Sequence, residues 1–142
     1  MGTEVNSLLV EFQVLQPRIT GANEFTARVR FTNKSSRELR LNTLLLNIPK
    51  VLLKVRKSDG TPVYPGPPGY PPIDDGEIGR INLKPGESVS YEYTGSQYFG
   101  TSLDPGKYEV RFRYENTLPQ RGDWTGIIET EWVGFEVKPS RV

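Results

Sequence analysis

The amino-acid sequence predicts an all-β protein, an antiparallel β-sandwich of about seven to nine strands. Two Leu-x-Pro-Gly turns, at residues 83–86 and 103–106, lie about twenty residues apart, and each precedes a run of alternating apolar and polar residues. In the second run, residues 107–114, tyrosine, valine and phenylalanine alternate with lysine, glutamate and arginine. The 14 glycines and 12 prolines also suit a fold with many turns.

Eight runs of this kind, bounded by turn signals, are predicted as strands. They are residues 7–15, 25–32, 37–41, 51–56, 80–83, 88–94, 107–114 and 127–137. The first two runs have apolar faces made of Leu8, Val10, Phe12 and Val14, and of Phe25, Ala27, Val29 and Phe31. A turn at residues 33–36 and the alternation that resumes at Leu39 and Leu41 predict a hairpin with the second strand.

The middle of the chain is less regular. Residues 43–49 are interpreted as a helical turn or an irregular crossover between sheets, because Pro49 excludes a long helix and a central strand. After the next strand and an Asp-Gly turn, residues 61–79 form a proline-rich loop with half of the chain's 12 prolines. Because proline has no N–H group, this segment is expected to cross the surface in extended form without joining a sheet.

The last predicted strand, residues 127–137, contains a change of face. Glu129 lies in register with Val133, which would place a charged side chain on the apolar face of a regular strand. One extra residue near Trp132 would restore the pattern, so the sequence predicts a β-bulge at that point.

Composition excludes several classes of chemistry. The chain has no cysteine and no histidine, which excludes disulfides, thiolate catalysis, Ser-His-Asp triads and the usual zinc hydrolases. Lysine and arginine number 18 against 17 aspartates and glutamates, which gives no reason to expect nucleic acid or an anionic membrane as partner. No apolar run is long enough to span a bilayer, and the first residues lack the pattern of a signal peptide. Residues 1–6 are expected to be a disordered segment or cloning remnant before a single domain at residues 7–138.

Carboxylates are the remaining acid–base groups. Asp74 with Glu77, or Glu129 with Glu131, could form an acid–base pair. Glu129 and Glu131, two positions apart on one strand face, have a glycosidase-like separation, but any strand with two acids meets that test. Asp74, Asp75 and Glu77 would also suit calcium, yet they lack a full ligand set and fit a solvated acidic turn better. We therefore expect no enzymatic activity, no metal and no cofactor.

The second turn carries a resemblance to known folds. Leu103-Asp104-Pro105-Gly106-Lys107-Tyr108 resembles the start of strand F in immunoglobulin-like and fibronectin type III-like sandwiches, where a tyrosine at the place of Tyr108 forms the tyrosine corner. Further motifs are similar to those of the N-terminal sandwich domain of deuterolysin-type metalloendopeptidases and of bacterial intracellular proteinase inhibitors. These motifs are Phe31-Thr32-Asn33-Lys34, Leu44-Leu45-Leu46-Asn47, Ser58-Asp59-Gly60, Leu83-Lys84-Pro85-Gly86-Glu87-Ser88-Val89 and Tyr98-Phe99. No His-Glu-x-x-His motif follows, so the resemblance implies an immunoglobulin-like sandwich that binds or inhibits, or acts as a chaperone, and does not cleave.

Aromatic residues in the loops are the candidate binding residues. Tyr64, Tyr70, Tyr98 and Phe99 would line a groove for a peptide or a sugar; alternatively, their rings pin the loops to the sandwich edge. Trp124 would present a flat apolar anchor to a ligand or would cap the end of the core. The neighbouring Arg-Gly-Asp tripeptide at residues 121–123 matches integrin ligands, but it is also ordinary loop chemistry.

These observations favour a non-catalytic protein-binding module whose loops, residues 61–79, 95–100 and 116–126, carry recognition. The partner is expected to be another protein, with carbohydrate as a further option. Two alternatives stay open. One is a proteinase inhibitor that holds the proline-rich loop extended in a protease cleft, and the other is a structural accessory domain of a larger secreted protein. The resemblance favours an extracellular or periplasmic location.

Overall fold

The computed structural model describes residues 2–47, 52–64, 79–99, 103–117 and 122–139. Within these ranges the chain is all-β, as predicted. Its strands are β1 (Gly2–Val5), β2 (Leu8–Val14), β3 (Arg18–Ile19), β4 (Thr26–Asn33), β5 (Leu39–Asn42), β6 (Leu53–Lys57), β7 (Pro62–Val63), β8 (Arg80–Leu83), β9 (Ser88–Thr94), β10 (Gly106–Asn116), β11 (Gly126–Glu129) and β12 (Val133–Val137). A short helix, α1 (Gly95–Tyr98), and two 3-10 turns complete the described elements, and no described helix is long and apolar enough to cross a membrane.

The strands form two larger sheets and one small sheet. The front sheet has the order β1-β2-β4-β9, and all of its pairs are antiparallel. The back sheet has the order β3-β12-β10-β6-β7, with β11 paired to the far end of β10. In the back sheet the β3–β12 pair is parallel and the other pairs are antiparallel. The small sheet pairs β5 with β8.

The front and back sheets face each other across an aromatic core. Phe12 on β2 stacks on Phe112 of β10 at 6.0 Å between ring centroids, and Phe31 on β4 meets the same ring edge-on at 5.8 Å. Phe25, just before β4, lies 5.1 Å from Phe135 on β12. The apolar faces predicted for the first two strands are buried as expected, except that Val14 is only half-buried. The arrangement is therefore sandwich-like, held by rings that alternate with polar outward residues.

The N-terminal residues differ from the prediction of disorder. Residues 2–5 form β1, which pairs with β2 at the edge of the front sheet. The chain reverses through Asn6 and Ser7, which both have positive φ angles of 47° and 65°. The Asn6 side chain also donates a hydrogen bond to the carbonyl of Thr125 at 2.8 Å. The expectation of a disordered segment is wrong for these residues because the turn and this long-range contact hold β1 on the sheet.

Strand β5 does not form the predicted hairpin with β4 but pairs with β8. The buried side chain of Asn33, at the end of β4, supplies the physical reason. Its Nδ2 donates to the carbonyls of Arg37 and Leu83, both at 2.8 Å. These bonds turn the chain out of the front sheet and hold β8 beside it, so β4 pairs with β9 instead. Leu41 is buried, as predicted.

The start of the proline-rich segment also joins a sheet. Pro62–Val63 forms β7, and Val63 pairs with Val55 on β6. The prediction that this segment cannot join a sheet is wrong here, because β7 is an edge strand and a proline is tolerated where no neighbour needs its N–H. Residues 65–78 lie outside the described residues.

The predicted β-bulge divides the last strand. Strand β11 ends at Glu129, β12 begins at Val133, and the three residues between them face two residues of β10. Thr130 holds the bulge: its backbone N–H donates to the carbonyl of Phe112 at 2.9 Å, and its Oγ1 accepts the N–H of Phe112 at 3.0 Å. Together with the short strands β1, β3 and β7, this division raises the number of strands above the predicted range.

The ambiguous segment at residues 43–49 contains a helical turn. Leu44–Asn47 forms a 3-10 helix, and the hydroxyl of Tyr93 on β9 donates to the carbonyl of Leu46 at 2.8 Å. This bond ties the turn to the edge of the front sheet. Of the two readings of this segment, the helical turn is therefore the one observed.

Candidate functional site

The five predicted binding residues do not form one surface. Tyr64 is 83% exposed, whereas Tyr98, Phe99 and Trp124 are 1%, 9% and 5% exposed. Tyr70 lies outside the described residues. Because a buried ring cannot contact a ligand in this conformation, Tyr98, Phe99 and Trp124 belong to the core of the fold.

Tyr98 and Phe99 pin α1 to the sandwich. Their rings meet edge-on at 4.8 Å, and Phe99 also meets Phe25 edge-on at 5.6 Å. The Tyr98 hydroxyl points to the carbonyl of Val63 at 3.4 Å, and burial raises the pKa of Tyr98 to about 12. These contacts match the alternative in which the aromatic residues hold a loop against the sandwich edge.

Trp124 caps one end of the core. Its ring stacks on Tyr114 at 5.9 Å, and its indole Nε1 donates to the carbonyl of Asn6 at 3.1 Å. Its backbone N–H donates to the carbonyl of Arg40 at 2.7 Å. Since the polar edge and one ring face are in use, Trp124 holds loop and strand together and offers no flat anchor to a ligand.

The Asp123 carboxylate of the Arg-Gly-Asp tripeptide is buried. Arg80 donates from Nε to both of its oxygens at 3.0 and 2.9 Å, and Arg40 lies 3.6 Å from one of them. The Asp123 side chain is 1% exposed. A partner therefore cannot reach this carboxylate in the described conformation, and the ordinary loop reading of the tripeptide is favoured; Arg121 lies outside the described residues.

Basic side chains on outward strand positions are divided between the two larger sheets. Arg28 and Arg30 lie on β4 of the front sheet, whereas Lys54 and Arg56 lie on β6 of the back sheet. Arg28 pairs with Glu92 on its own sheet at 2.6 Å. The front sheet therefore presents a solvated face with charges of both signs.

A groove on the outer face of the back sheet is the strongest candidate site. It lies where β6, β7 and the bulge between β11 and β12 meet, and its volume is about 370 Å³. We call it the Trp132 groove. Its lining residues are Leu53, Lys54, Val55, Arg56, Gly60, Pro62, Val63, Tyr64, Tyr98 and Trp132.

Two arginines hold the half-buried Trp132 ring in place. The guanidinium carbon of Arg56 lies 3.9 Å from the ring centroid, and that of Arg111 lies 4.5 Å from it. A guanidinium at this distance is attracted by the ring's negative face, by about 0.5–1 kcal/mol at an exposed site. The indole therefore stands as a fixed wall of the groove, with the exposed ring of Tyr64 also lining it.

Strand geometry explains why Arg56 and Arg111 contact the same indole ring. Arg56 on β6 and Arg111 on β10 occupy outward positions of neighbouring strands, where alternate side chains share a face. Ile128 and Phe135 are both buried although an odd number of positions separates them, because the bulge between them shifts the alternation of faces. Trp132 lies in this bulge, and its indole is over the outer face. The bulge thus places the Trp132 ring beside Arg111 on β10 and Arg56 on β6.

The charged side chains described in the groove have one sign. Lys54 and Arg56 line it, and none of its described lining residues is acidic. Arg56 donates to Glu109 at 2.9 Å, and Arg111 lies 3.1 Å from Glu129. Among the described residues no carboxylate lies within ion-pair distance of Lys54, which is exposed. The groove therefore offers an aromatic wall and an exposed ammonium that no described carboxylate neutralises.

Sequence reasoning identified Tyr64 and the bulge near Trp132 but not the groove that they form. The outward positions of Arg56 and Arg111 were readable from the alternation of their strands. Their contact with one indole was not readable, because it depends on which strands are neighbours in the back sheet.

The described residues hold no group of three or more acidic side chains arranged to bind a metal ion. Glu129 of the proposed carboxylate pair lies within 4 Å of both Arg111 and Arg113, at 3.1 and 3.6 Å. Asp74 and Glu77 lie outside the described residues. Glu129 is thus part of a charge network across the back sheet, and the absence of enzymatic activity stays a prediction.

Comparison with known proteins adds no assignment: no protein-family model matches the chain, and no curated protein matches it significantly. The choice of function therefore depends on the chemistry of the groove and on the strands that build it.

Proposed function

We propose that this protein is a non-catalytic interaction module that binds a partner protein through the Trp132 groove. The observation that carries the proposal is an exposed tyrosine beside a tryptophan held by arginines. Tyr64, 83% exposed, and the half-buried Trp132 line one groove, and Arg56 and Arg111 lie against the indole. Tryptophan, tyrosine and arginine are the residue types that contribute most binding energy at protein interfaces.

The alternative interpretation is that Trp132 and its arginines only stabilise the back sheet. A single exposed aromatic ring needs no functional explanation by itself. Here, however, the exposed ring and a second ring line one groove together with Lys54, which is exposed on β6 and lies within ion-pair distance of no described carboxylate. The groove's volume of about 370 Å³ suits a few side chains of a partner. These features together favour a domain that recognises a partner over a domain that only spaces its neighbours.

The proposal includes the immunoglobulin-like type of sandwich. Its support is the strand order, since β2-β4-β9 and β12-β10-β6 correspond to the A-B-E and G-F-C orders of that type. The Tyr108 hydroxyl also donates to the carbonyl of Asp104, four residues upstream, at 2.5 Å, as in a tyrosine corner. An extracellular or periplasmic location goes with this type and is proposed on that ground alone.

A displayed library of random peptides tests the proposed function. Wild-type protein is immobilised and panned, and enriched peptides are then tested on Tyr64→Ser and Trp132→Phe variants. We expect a shared peptide motif that binds wild type and loses at least about fivefold in affinity on Tyr64→Ser, since a central aromatic anchor is a common hot spot. Ile127→Ser is the matched control, because Ile127 is an exposed apolar residue, 46% exposed, outside the groove.

Two results would contradict this function. One is a failure to enrich any motif, and the other is a set of binders that Ile127→Ser weakens as much as Tyr64→Ser does. Thermal unfolding of each variant is measured beside the affinity. Because Tyr64 is largely exposed, we expect Tyr64→Ser to leave the melting temperature nearly unchanged.

The alternatives need separate tests. A proteinase inhibitor would use residues 65–78, which lie outside the described residues, and inhibition of a panel of proteases tests that proposal directly. A carbohydrate ligand would be found on a glycan array and would also depend on Tyr64. An accessory domain would show neither activity and no peptide motif.

A further inference from the structure

We propose that the partner segment in the Trp132 groove is acidic, with a carboxylate next to an apolar side chain. This inference rests on the proposed function and names the chemistry of its ligand. The carboxylate would lie against Lys54, and the apolar side chain would lie on Tyr64 and Trp132.

Charge repulsion between neighbouring strands favours an anion. Lys54 on β6 stands directly opposite Arg111 on β10. Like charges at opposed positions of a sheet destabilise the pair. Glu129 lies 3.1 Å from Arg111, but no described carboxylate neutralises Lys54. A carboxylate supplied by a partner would therefore gain an attraction that the described residues of this chain do not provide.

The charge of the lining residues distinguishes this groove from the larger one on the front sheet. That larger groove, of about 670 Å³, is lined by Glu11, Gln13, Arg28, Arg30, Ser90 and Glu92. Its two arginines are balanced by its two glutamates, and it has no aromatic wall. The Trp132 groove instead combines Lys54 and Arg56 with aromatic and aliphatic side chains, and its described lining contains no acid. A charge preference is therefore expected at the back sheet and not at the front sheet.

The apolar part of the groove sets the second requirement. Its apolar lining includes Pro62, Val63, Tyr64 and Trp132, together with the buried Leu53. An apolar side chain that lies against these residues leaves water, which is favourable by roughly 25 cal/mol per Å² of apolar surface. A peptide with only charged side chains would bury no apolar surface here. Acidic residues next to apolar ones are therefore favoured.

Recognition is expected to use side chains and not the addition of a strand. The edge strand beside the groove is only Pro62–Val63, and proline has no N–H to donate to an incoming chain. Short edge strands that contain proline are a common protection against strand addition. The ligand is thus expected to lie across the side chains of the outer face.

Isothermal titration with three synthetic peptides tests the inference. The first alternates glutamate with proline and tyrosine, the second replaces each glutamate with glutamine, and the third replaces it with lysine. We expect wild type to bind the glutamate peptide at least about tenfold more tightly than the glutamine peptide, and the lysine peptide not measurably. The affinity should fall as salt is added, because the contact is screened.

Charge reversal at the groove supplies the matched control. Lys54→Glu should abolish the preference for glutamate over glutamine, whereas Lys34→Glu changes the net charge equally at an exposed turn outside the groove and should preserve the preference. Both side chains are exposed, so both variants are expected to fold, and far-ultraviolet circular dichroism verifies this.

The outcomes separate the two proposals. If the peptide library yields Tyr64-dependent binders but wild type binds the glutamate and glutamine peptides equally, the acidic partner is wrong and the interaction module stands. If a phosphotyrosine peptide binds where the glutamate peptide does not, the carboxylate is likewise wrong. If Lys54→Glu and Lys34→Glu weaken binding equally, the attraction reflects net charge and the assignment to this groove fails. If neither the library nor any peptide binds, both proposals fail.

Discussion

Arg80 and Asp123 form a buried ion pair that joins the small sheet to the loop before β11. Nε of Arg80 donates to both carboxylate oxygens, at 3.0 and 2.9 Å, and the two side chains are 3% and 1% exposed. Asp123 also makes an isolated parallel bridge to Arg40 on β5. The pair thus holds together segments that are far apart in the sequence, and its removal should be costly.

We expect Asp123→Ala to lower the free energy of unfolding by about 3 kcal/mol or more, because it leaves the Arg80 guanidinium buried without its carboxylate. Urea denaturation followed by circular dichroism measures the loss. Glu92→Ala is the control: it removes the carboxylate of an exposed pair with Arg28 and should cost less than about 1 kcal/mol. Equal losses in the two variants would show that burial of the Arg80–Asp123 pair does not matter.

Alkaline pH should destabilise the fold through its buried tyrosines. Burial raises the pKa of Tyr98 from 10.0 to about 12, and it also raises the pKa values of Tyr93 and Tyr114. Above pH 10 the unfolded chain releases these protons while the folded chain keeps them, so the free energy of unfolding falls as pH rises. The stabilisation is complete below the unfolded pKa and is lost as pH passes through the raised values.

Urea unfolding between about pH 8 and about pH 12 measures this slope. Tyr98→Phe should make the slope shallower, since it removes one of the groups that titrate only after unfolding. A free energy of unfolding that stays constant across this window would refute the assignment.

The bulge should depend on the hydroxyl of Thr130. Thr130→Val keeps the shape but leaves the N–H of Phe112 without its acceptor, and we expect a loss of about 1–3 kcal/mol in the free energy of unfolding. Thr130→Ser retains the acceptor and should lose much less. Hydrogen exchange of the Phe112 amide provides a local measurement. Unchanged exchange in Thr130→Val would mean that the hydroxyl does not hold the bulge.

The two tryptophans should respond differently to charged quenchers. Trp124 is 5% exposed, whereas Trp132 is half-buried and lies beside the guanidinium groups of Arg56 and Arg111. Iodide is attracted to those cations and should quench fluorescence more than caesium does. Trp132→Phe should remove most of the quenching by iodide, while Trp124→Phe should retain it. Equal quenching by both ions would contradict the cationic environment of Trp132.

Much of the strand pattern was predictable because side-chain alternation is local. Residues that alternate along β2, β4 and β10 bury the faces that the sequence indicated. The bulge followed from the conflict between Glu129 and Val133, which needs no knowledge of the partner strand. The hydrogen bond from the Tyr108 hydroxyl to the carbonyl of Asp104 likewise spans only four residues. Each of these inferences concerns neighbours in the sequence.

The candidate site was less predictable for the same reason. Tyr64 is exposed, as a loop aromatic was expected to be, but Trp124 and Tyr98 look alike in sequence and are buried. Whether an aromatic ring at a loop end faces inward depends on partners such as Tyr114, which lies ten positions before Trp124 on another element. Sequence patterns do not show which residues from different elements pack against each other.

By itself, the sequence determined the all-β class, the inward faces of the main strands, the bulge, and the absence of cysteine and histidine chemistry. Tertiary structure alone decided that β5 pairs with β8 and that Arg56 and Arg111 meet Trp132. The physical reason is the range of the interactions. Alternation follows from the geometry of one strand, whereas strand order and register arise from contacts between distant residues, which are decided when the whole core is packed.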